Sequence, residues 1–234
     1  MQGVFITGTG TEVGKTFVAV EIARQLTQRK VTVIPKKPIE SGCIRQGDEL
    51  IPQDALALKN AANYSGSLSD VCPYRFEPPI SPVRAAHLAN KVLTTEQLFS
   101  ICLQGSEDGF LLIEGAGGFY SPLAENGLNA DLAVALQLPV LLVADDKLGS
   151  LSQVLLNAEA IQMRGLQIAG VVMNNLNNNN NEHMDNTADL REHLNCDIFC
   201  NPYAKNGQPQ LPKSLIDALV TPISPTAPNI SAVR

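Results

Sequence analysis

The sequence predicts an α/β fold: a parallel sheet covered by helices on both faces, in a single domain spanning residues 1–234. Three observations predict it. Short apolar strands alternate with segments whose apolar residues recur at helical spacing. The first strand runs directly into a glycine-rich turn that opens an amphipathic helix. The composition, 44% apolar and 17% charged over 234 residues, suits a folded chain able to bury one good core and argues against disorder.

Each element follows from its local pattern. Val4 to Thr7 is a short apolar, β-rich run. From Lys15 to about Gln28, the residues Phe17, Val18, Val20, Ile22, Ala23 and Leu26 repeat at helical spacing. Val31 to Pro35 reads as a second strand, and Asp54 to Ala62 as a helix starting at Gln53 or Asp54. The proline-rich stretch from Pro73 to Pro82 reads as a loop or edge segment. Thr95 to Leu103 is a further helix. Phe110 to Ile113 is a strand that ends in Glu114 and the turn Gly115-Ala116-Gly117-Gly118. Val140 to Ala144 (strand), Ser150 to Met163 (helix), Ile168 to Met173 (strand) and His183 to Leu194 (helix) continue the alternation. No composition shift marks a domain boundary. The asparagine tract 177–181 cannot build a core and is expected to be a mobile loop. The stretch 221–234, with Pro222, Pro225 and Pro228, is expected to be a loose tail.

Charge and targeting signals narrow the function classes. Seventeen basic against 23 acidic residues give a net charge of -6, with no footprint for nucleic acid or an anionic membrane. A phosphorylated small molecule stays compatible, because a nest of backbone amides can hold phosphate on an acidic protein. No apolar run is long enough to span a bilayer. The amino-terminal Met-Gln-Gly-Val-Phe-Ile lacks a basic region and a small-residue cleavage site, so no signal peptide is expected and the cytoplasm is the expected location. Cys43, Cys72, Cys102, Cys196 and Cys200 are odd in number and scattered, which fits reduced thiols better than a disulfide framework or a zinc site. His87, His183 and His193 show no paired-ligand spacing.

The strongest chemical signal is Gly8-Thr9-Gly10-Thr11-Glu12-Val13-Gly14-Lys15-Thr16, set between strand and helix. Glycines let the backbone wrap one anion with several N–H groups, and the helix N-terminus adds partial positive charge. Lys15 can reach the β- and γ-phosphates, and the Thr16 hydroxyl can ligate Mg²⁺. The architecture is therefore expected to be P-loop NTPase-like, although five residues rather than the usual four separate Gly8 from Gly14. A dinucleotide-binding turn fits less well: Gly8, Gly10 and Gly14 run one residue too long, and the second strand leads into Lys36-Lys37 where that fold needs an acid. GTP switches need Asn-Lys-x-Asp, whereas Asn90-Lys91 is followed by Val92-Leu93.

In open parallel sheets, ligands bind beyond the carboxyl ends of the strands. The second strand delivers Lys36-Lys37-Pro38-Ile39-Glu40-Ser41-Gly42. The later ones deliver Glu114 with its glycines, then Asp145-Asp146-Lys147, then Asn174-Asn175. Glu114 stands where an acid would meet Mg²⁺, and the glycines after it permit close approach. Asp54 is either a helix-capping acid or a metal ligand. Lys37, between a buried strand and a proline, is placed to face an anion.

Taken together, Gly8-Thr9-x-Thr11-Glu12-Val13-Gly14-Lys15-Thr16, Lys37-Pro38-x-x-Ser41-Gly42, Asp54-Ala55-Leu56-Ala57-Leu58, Ser81-Pro82 and Glu114-Gly115-Ala116-Gly117-Gly118 resemble the dethiobiotin synthetase family. Order and spacing match over the first two thirds of the chain. Beyond Met173 the likeness thins to Asn174 and Pro202-Tyr203. The resemblance implies ATP-dependent ring closure of 7,8-diaminopelargonic acid with CO₂. One amine forms a carbamate, its oxygen takes the γ-phosphoryl group to give a carbamic-phosphoric anhydride, and the second amine closes the ring and expels phosphate. It implies that Gly8, Glu12, Val13, Gly14, Lys15, Thr16 and Phe17, with Asp54, Glu114, Gly115, Gly117, Asn174, Asn175 and Pro202, hold ATP, Asn174 reading adenine by its amide. It implies that Thr16, Asp54 and Glu114 hold Mg²⁺. Thr11, Lys37, Ser41, Gly117, Gly118, Gly149 and Ser152 would meet the diamine or its carbamate, with Lys37, Lys15 and Thr11 carrying catalysis. A homodimer with its site near the subunit interface is implied as well.

Two positions depart from the family pattern. Residue 10 is Gly where the family usually has Asp, and Lys147-Leu148-Gly149 is followed by Ser152 where an asparagine is usual. They keep open one alternative to the ligase, a decayed relative that binds nucleotide without turnover; a deviant P-loop ATPase switch is a second alternative. The switch is disfavoured because Gly8 to Val13 contains no second lysine and because it gives Lys37 and Ser41 no purpose.

Overall fold

The computed structural model describes residues 2–176, 183–203 and 211–221. The asparagine tract, and the tail beyond Thr221, on which two expectations fell, lie outside the described residues.

The chain opens with β1 (Gly3–Gly8), passes the glycine-rich loop into α1 (Lys15–Gln28) and returns to β2 (Val33–Lys36). A layered excursion follows: β3 (Ile39–Ser41), the hairpin β4 (Ile44–Gln46) and β5 (Glu49–Ile51), α2 (Gln53–Ala61), α3 (Leu68–Val71), β6 (Tyr74–Phe76), α4 (Pro82–Leu88) and α5 (Thr95–Leu103). Then come β7 (Phe110–Gly118), the ribbon β8 (Pro122–Ala124) and β9 (Gly127–Leu128), α6 (Asn129–Leu136) and β10 (Val140–Asp145). The chain continues through α7 (Ser150–Met163), β11 (Ile168–Asn174), α8 (Asn186–His193), β12 (Ile198–Asn201) and α9 (Lys213–Val220).

Six strands form the central sheet in the order β12-β11-β10-β1-β7-β2, all parallel. β1 alternates its side chains between two cores. Val4 and Ile6 pack with Val18, Ile22 and Leu26 of α1, Leu58 of α2 and Leu215 of α9. Phe5 points the other way, into the layer holding Leu132 and Leu136 of α6 and Val154 and Ile161 of α7. Each such fully buried aliphatic side chain contributes about 1.5–3 kcal/mol. The chain leaves β1 to build one flank of the sheet and later crosses to the other, so the crevice beyond the carboxyl ends of β1 and its neighbours is where a ligand is held in this architecture.

The predicted fold class holds, with local corrections. The second strand starts at Val33, not Val31, because the Val31 N–H still closes the end of α1 onto the Leu26 carbonyl. The glycine run after Glu114 is not a turn. It continues β7 to Gly118, which pairs with Gly8 after a register shift past Ile6. The last predicted helix begins later, at Asn186, where the Asp185 side chain accepts the Ala188 N–H. Helices α3, α4, α6 and α9, the short strands β3, β4, β5, β8 and β9, and strand β12 are not among the predicted elements. In α6 most positions are buried, so no polar face marks its period. The expected edge segment is β6, paired in parallel with β3, followed by Pro82 at the first turn of α4. Cys43, Cys72 and Cys102 are buried thiols. Among the described residues no helix is long and apolar enough to cross a membrane.

Candidate active site

The loop after β1 is shaped by its glycines. Gly14, the residue capping α1, sits in the left-handed region at φ 86°, and a Cβ there would lie 2.0 Å from Asn174 Nδ2. No side chain caps α1, so its first-turn N–H groups face the loop, as in an anion site. Glu12 is also left-handed, at φ 60°, a conformation that costs a non-glycine residue about 1 kcal/mol and is common at functional sites. Lys15 Nζ folds back onto the Gly10 carbonyl at 2.8 Å. Burial lowers its ammonium to about 8, nearby Lys37 adding to the drop while Glu114 and Asp54 oppose it.

Four elements then converge on one point. Lys37 follows β2, and its backbone N–H is fixed by the Val71 carbonyl at 2.9 Å. Its Nζ lies 2.5 Å from Glu114 Oε1 on β7 and 2.7 Å from Asp54 Oδ2 at the start of α2. Thr16 Oγ1 donates to the same Glu114 Oε1 at 2.7 Å. Burial works against the charge on Lys37, but Glu114, Asp54 and Glu40 together outweigh it and hold the ammonium above the usual lysine range. Burial likewise disfavours ionisation of Asp54, and Lys37 overturns it, holding that carboxyl below its ordinary value. Asp54 is therefore no helix cap: Pro52 occupies the cap position, and the Asp54 carboxylate faces the lysine.

The second oxygen of Glu114, Oε2, is buried without a hydrogen-bond partner among the described residues. Buried carboxylate oxygens are ordinarily satisfied. Here the open valence points to a ligand, and Thr16, Asp54 and Glu114 supply hard oxygen donors. Among the described residues no three His, Cys, Asp or Glu side chains form an all-protein metal cage. Mg²⁺ does not need one, since it is usually held by one or two carboxylates with waters and phosphate oxygens. The residues fit it.

The neighbouring walls are held by polar side chains that sequence reasoning missed. Asn129, fully buried, accepts the Ala116 N–H at 3.1 Å and donates to the Ala116 and Gly118 carbonyls at 2.6 and 3.0 Å. Ser121 Oγ accepts the Gly118 N–H. Gly117 is left-handed at φ 78°, and a Cβ there would meet Ser121 Oγ at 2.6 Å and Thr11 Oγ1 at 3.9 Å. Thr11 thus stands beside the glycine-rich end of β7. Nothing in the sequence marks Asn129, because its partners are backbone groups.

Asn174, fully buried, donates from Nδ2 to the Val13 carbonyl at 3.0 Å and accepts at Oδ1 from Asn201 Nδ2 at 2.6 Å. The amide expected to read a base is here engaged by protein at both ends, where it tethers the loop after β1. Asn175 Oδ1 next to it is buried without a partner among the described residues, and Pro202 follows β12 on the same edge. Ser41 closes β3. Gly149, left-handed at φ 88°, caps α7, and the exposed Ser152 donates to its carbonyl at 3.1 Å. The structure thus gathers Lys15, Thr16, Lys37, Asp54 and Glu114. It gives Gly149 and Ser152 no hydrogen bond to that cluster among the described residues. Around Gly10 a Cβ would meet nothing within 4 Å.

A family model described as an AAA domain matches residues 2–201. The chain is 39% identical over 198 residues, 85% of its length and 90% of the relative's, to the ATP-dependent dethiobiotin synthetase BioD of Ruthia magnifica subsp. Calyptogena magnifica. It is 38% identical over 223 residues, 94% of its length and all of the relative's, to the protein of that name from Vesicomyosocius okutanii subsp. Calyptogena okutanii. Among solved structures it is similar to chloroplast FtsY from Physcomitrella patens (TM-score 0.51, 17% identity) and to the signal recognition particle receptor FtsY from Elizabethkingia anophelis (TM-score 0.52, 12% identity). It covers 94% and 95% of its own length there but only 65% and 64% of theirs, a likeness of fold alone. With close to full-length matches on both sides, the chain belongs to the ATP-dependent dethiobiotin synthetase family.

Proposed function

We propose that this protein makes dethiobiotin from 7,8-diaminopelargonic acid, CO₂ and ATP, releasing ADP and phosphate. One observation carries the reading: a single buried carboxylate oxygen, Glu114 Oε1, receives both Thr16 Oγ1 of the phosphate loop and Lys37 Nζ, while Oε2 of the same group stays open.

The residues divide the work. Backbone groups from Gly8 to Phe17 cradle the triphosphate, with Glu12, Val13 and Gly14 at the mouth of α1. Lys15 leaves the Gly10 carbonyl to meet the β- and γ-phosphates. Asn175 offers its open acceptor to an amino group of the base, beside Pro202, and Asn174 fixes the loop beneath. Thr16, Asp54 and Glu114 would hold Mg²⁺, which supplies charge neutralisation on the phosphates. The chain needs no covalent nucleophile, since the carbamate oxygen attacks phosphorus itself. Lys37 bridges carbamate and γ-phosphoryl group, stabilising the charge that builds between them. Thr11, Ser41 and the Gly115–Gly118 backbone, Gly117 and Gly118 above all, orient the diamine so that its second amine closes the ring.

A homodimer completes the pocket. Leu156 and Met163 are 67% and 78% exposed along α7, on the side that also carries Ser152, and Leu148, 91% exposed, stands just before its cap. Large apolar side chains repeated along one helix mark an association surface. Gly149 and Ser152 would then contact the substrate held by the partner. The protein works in the cytoplasm, without nucleic acid or membrane partners.

The test is turnover by the purified protein with MgATP, bicarbonate and the diamine, scored for dethiobiotin and ADP. Both products, formed only with all substrates, are expected. ADP formed without diamine would mark an ATPase switch, and nucleotide binding without turnover a decayed relative.

A further inference from the structure

The amino end of α2 lacks any local cap. Pro52 fills the cap position and offers no side-chain acceptor, yet the part-buried Asp54 N–H and the buried Ala55 N–H of the first turn need partners. They find one across the fold. Glu40, in the middle of β3, places Oε1 3.1 Å from the Asp54 N–H and Oε2 3.0 Å from the Ala55 N–H. Glu40 is only 5% exposed, and β3 is locked in register by β6, with Glu40 opposite Arg75. The residue so clamped, Asp54, is the one whose carboxylate meets Lys37 at 2.7 Å. A carboxylate accepting two backbone N–H groups at a helix start is strong and directional.

We infer that Glu40 is a positioning residue: it caps α2 from a separate strand and so aims the Asp54 carboxylate at Lys37 and the Thr16 hydroxyl. This rests on the ligase reading for its consequence in catalysis, but not for the clamp itself. Asp54 is half-exposed and stands at the end of a short helix whose own sequence cannot hold its first turn. Without Glu40 the terminal turn frays, and Asp54 loses its fixed direction before the rest of the helix, anchored by buried Ala55 and Leu58, is disturbed.

The experiment uses the full chain and three variants: Glu40→Ala, Glu40→Gln, and Glu40→Ala combined with Pro52→Ser, which installs a local cap on the same extended backbone. Three readouts apply: hydrogen exchange at the Asp54 and Ala55 amides, Mn²⁺ binding in the presence of ATP followed by electron paramagnetic resonance, and the Mg²⁺ dependence of turnover. In Glu40→Ala the two amides are expected to exchange about fivefold faster or more, the scale of a lost cap. Mn²⁺ binding is expected to weaken by about tenfold, the scale for losing a group that orients a metal ligand. Pro52→Ser in that background is expected to restore both. Should Glu40→Ala not fold, Glu40→Gln, which keeps the shape but turns one acceptor into a donor, is read the same way. Unchanged exchange at Asp54 and Ala55 overturns the proposal. So does weakened Mn²⁺ binding that stays weak after Pro52→Ser has reprotected both amides, because Glu40 would then act through its charge and not by holding Asp54. If the wild-type protein makes no dethiobiotin, the ligase reading falls, and the exchange measurement still decides the clamp.

Discussion

Lys37 and Glu114 form a buried ion pair, Nζ 2.5 Å from Oε1, with side-chain exposures of 5% and 0%. β2 and β7 are hydrogen-bonded neighbours, with Lys36 opposite Ile113, so each residue of the pair is the next one along its own chain. Breaking such a pair from one side leaves an uncompensated charge, whereas replacing both partners does not. Glu114→Ala leaves Lys37 only the half-exposed Asp54 as a close partner and is therefore expected to destabilise the protein by about 3 kcal/mol in urea unfolding. The double variant Lys37→Met with Glu114→Met is expected to recover most of that loss while remaining inactive. A double variant as unstable as Glu114→Ala would show that the pair holds the fold through more than its charges.

Lys37→Ala separates binding from chemistry. Its ammonium faces Glu114 and Asp54, and the nucleotide contacts proposed above are made by other groups, those of the loop after β1. We expect nucleotide affinity near that of the wild type, with turnover reduced by ~10²-fold, the scale for losing one preorganised charge stabiliser. Equilibrium nucleotide binding and single-turnover product formation check the two halves. Near-normal turnover would remove Lys37 from the mechanism.

Gly14 is fixed by two independent constraints, its left-handed backbone and the Asn174 amide against it. Gly14→Ala costs about 1 kcal/mol in backbone strain and adds a clash that must displace Asn174 from the Val13 carbonyl. Nucleotide affinity is expected to fall by at least about tenfold. Adding Asn174→Ala removes the clash but not the strain, so it should restore affinity only in part. A fluorescent-nucleotide titration of both variants decides this.

The legible parts of this molecule are those in which neighbours in sequence determine the outcome. The strand–loop–helix from Gly3 to Gln28 was readable because apolar period and glycine spacing are local. The helix Thr95–Leu103 is determined locally too, since Thr94 and Gln97 form its capping box. Reading the strand ends in order also brought Lys37 and Glu114 to one edge. What escaped was satisfied across the fold. Glu40 caps a helix 14 residues away, Asn129 binds three backbone groups of β7, and Asn174 grips the loop after β1. Such partners are carbonyls and amides, which every residue carries, so no residue pattern announces them.

Lys36 makes a pH-dependent stability term away from the site. It is 1% exposed, and its Nζ donates to the Asp70 carbonyl at 2.9 Å. Burial lowers its ammonium below the ordinary lysine value of 10.5, with Cys102 and Asp70 pulling weakly the other way. The sign follows from linkage. Between the lowered native value and 10.5 the unfolded chain binds more protons, so stability from this residue rises with pH in that interval, and below it the buried charge is a constant cost. Lys36→Met is expected to be more stable than wild type at pH 7, with the difference shrinking as pH rises toward 10.5. Urea unfolding at several pH values measures it. A difference that grows with pH would mean the ammonium is favoured by its surroundings.

In the homodimer proposed above, the exposed stripe on α7 would link assembly to substrate affinity. Leu156 is 67% exposed in the single chain, one helical turn beyond Ser152. A charge there disfavours burial against a second copy without touching the phosphate loop. Leu156→Asp is expected to convert a dimer to a monomer in sedimentation velocity. If Gly149 and Ser152 serve the partner's pocket, that variant should raise KM for the diamine by about tenfold, the scale of one lost polar contact or methylene-sized pocket wall, with KM for ATP unchanged. The split between the two KM values is the informative quantity, because general unfolding would degrade both. A monomeric variant with wild-type KM for the diamine would place the whole pocket within one chain.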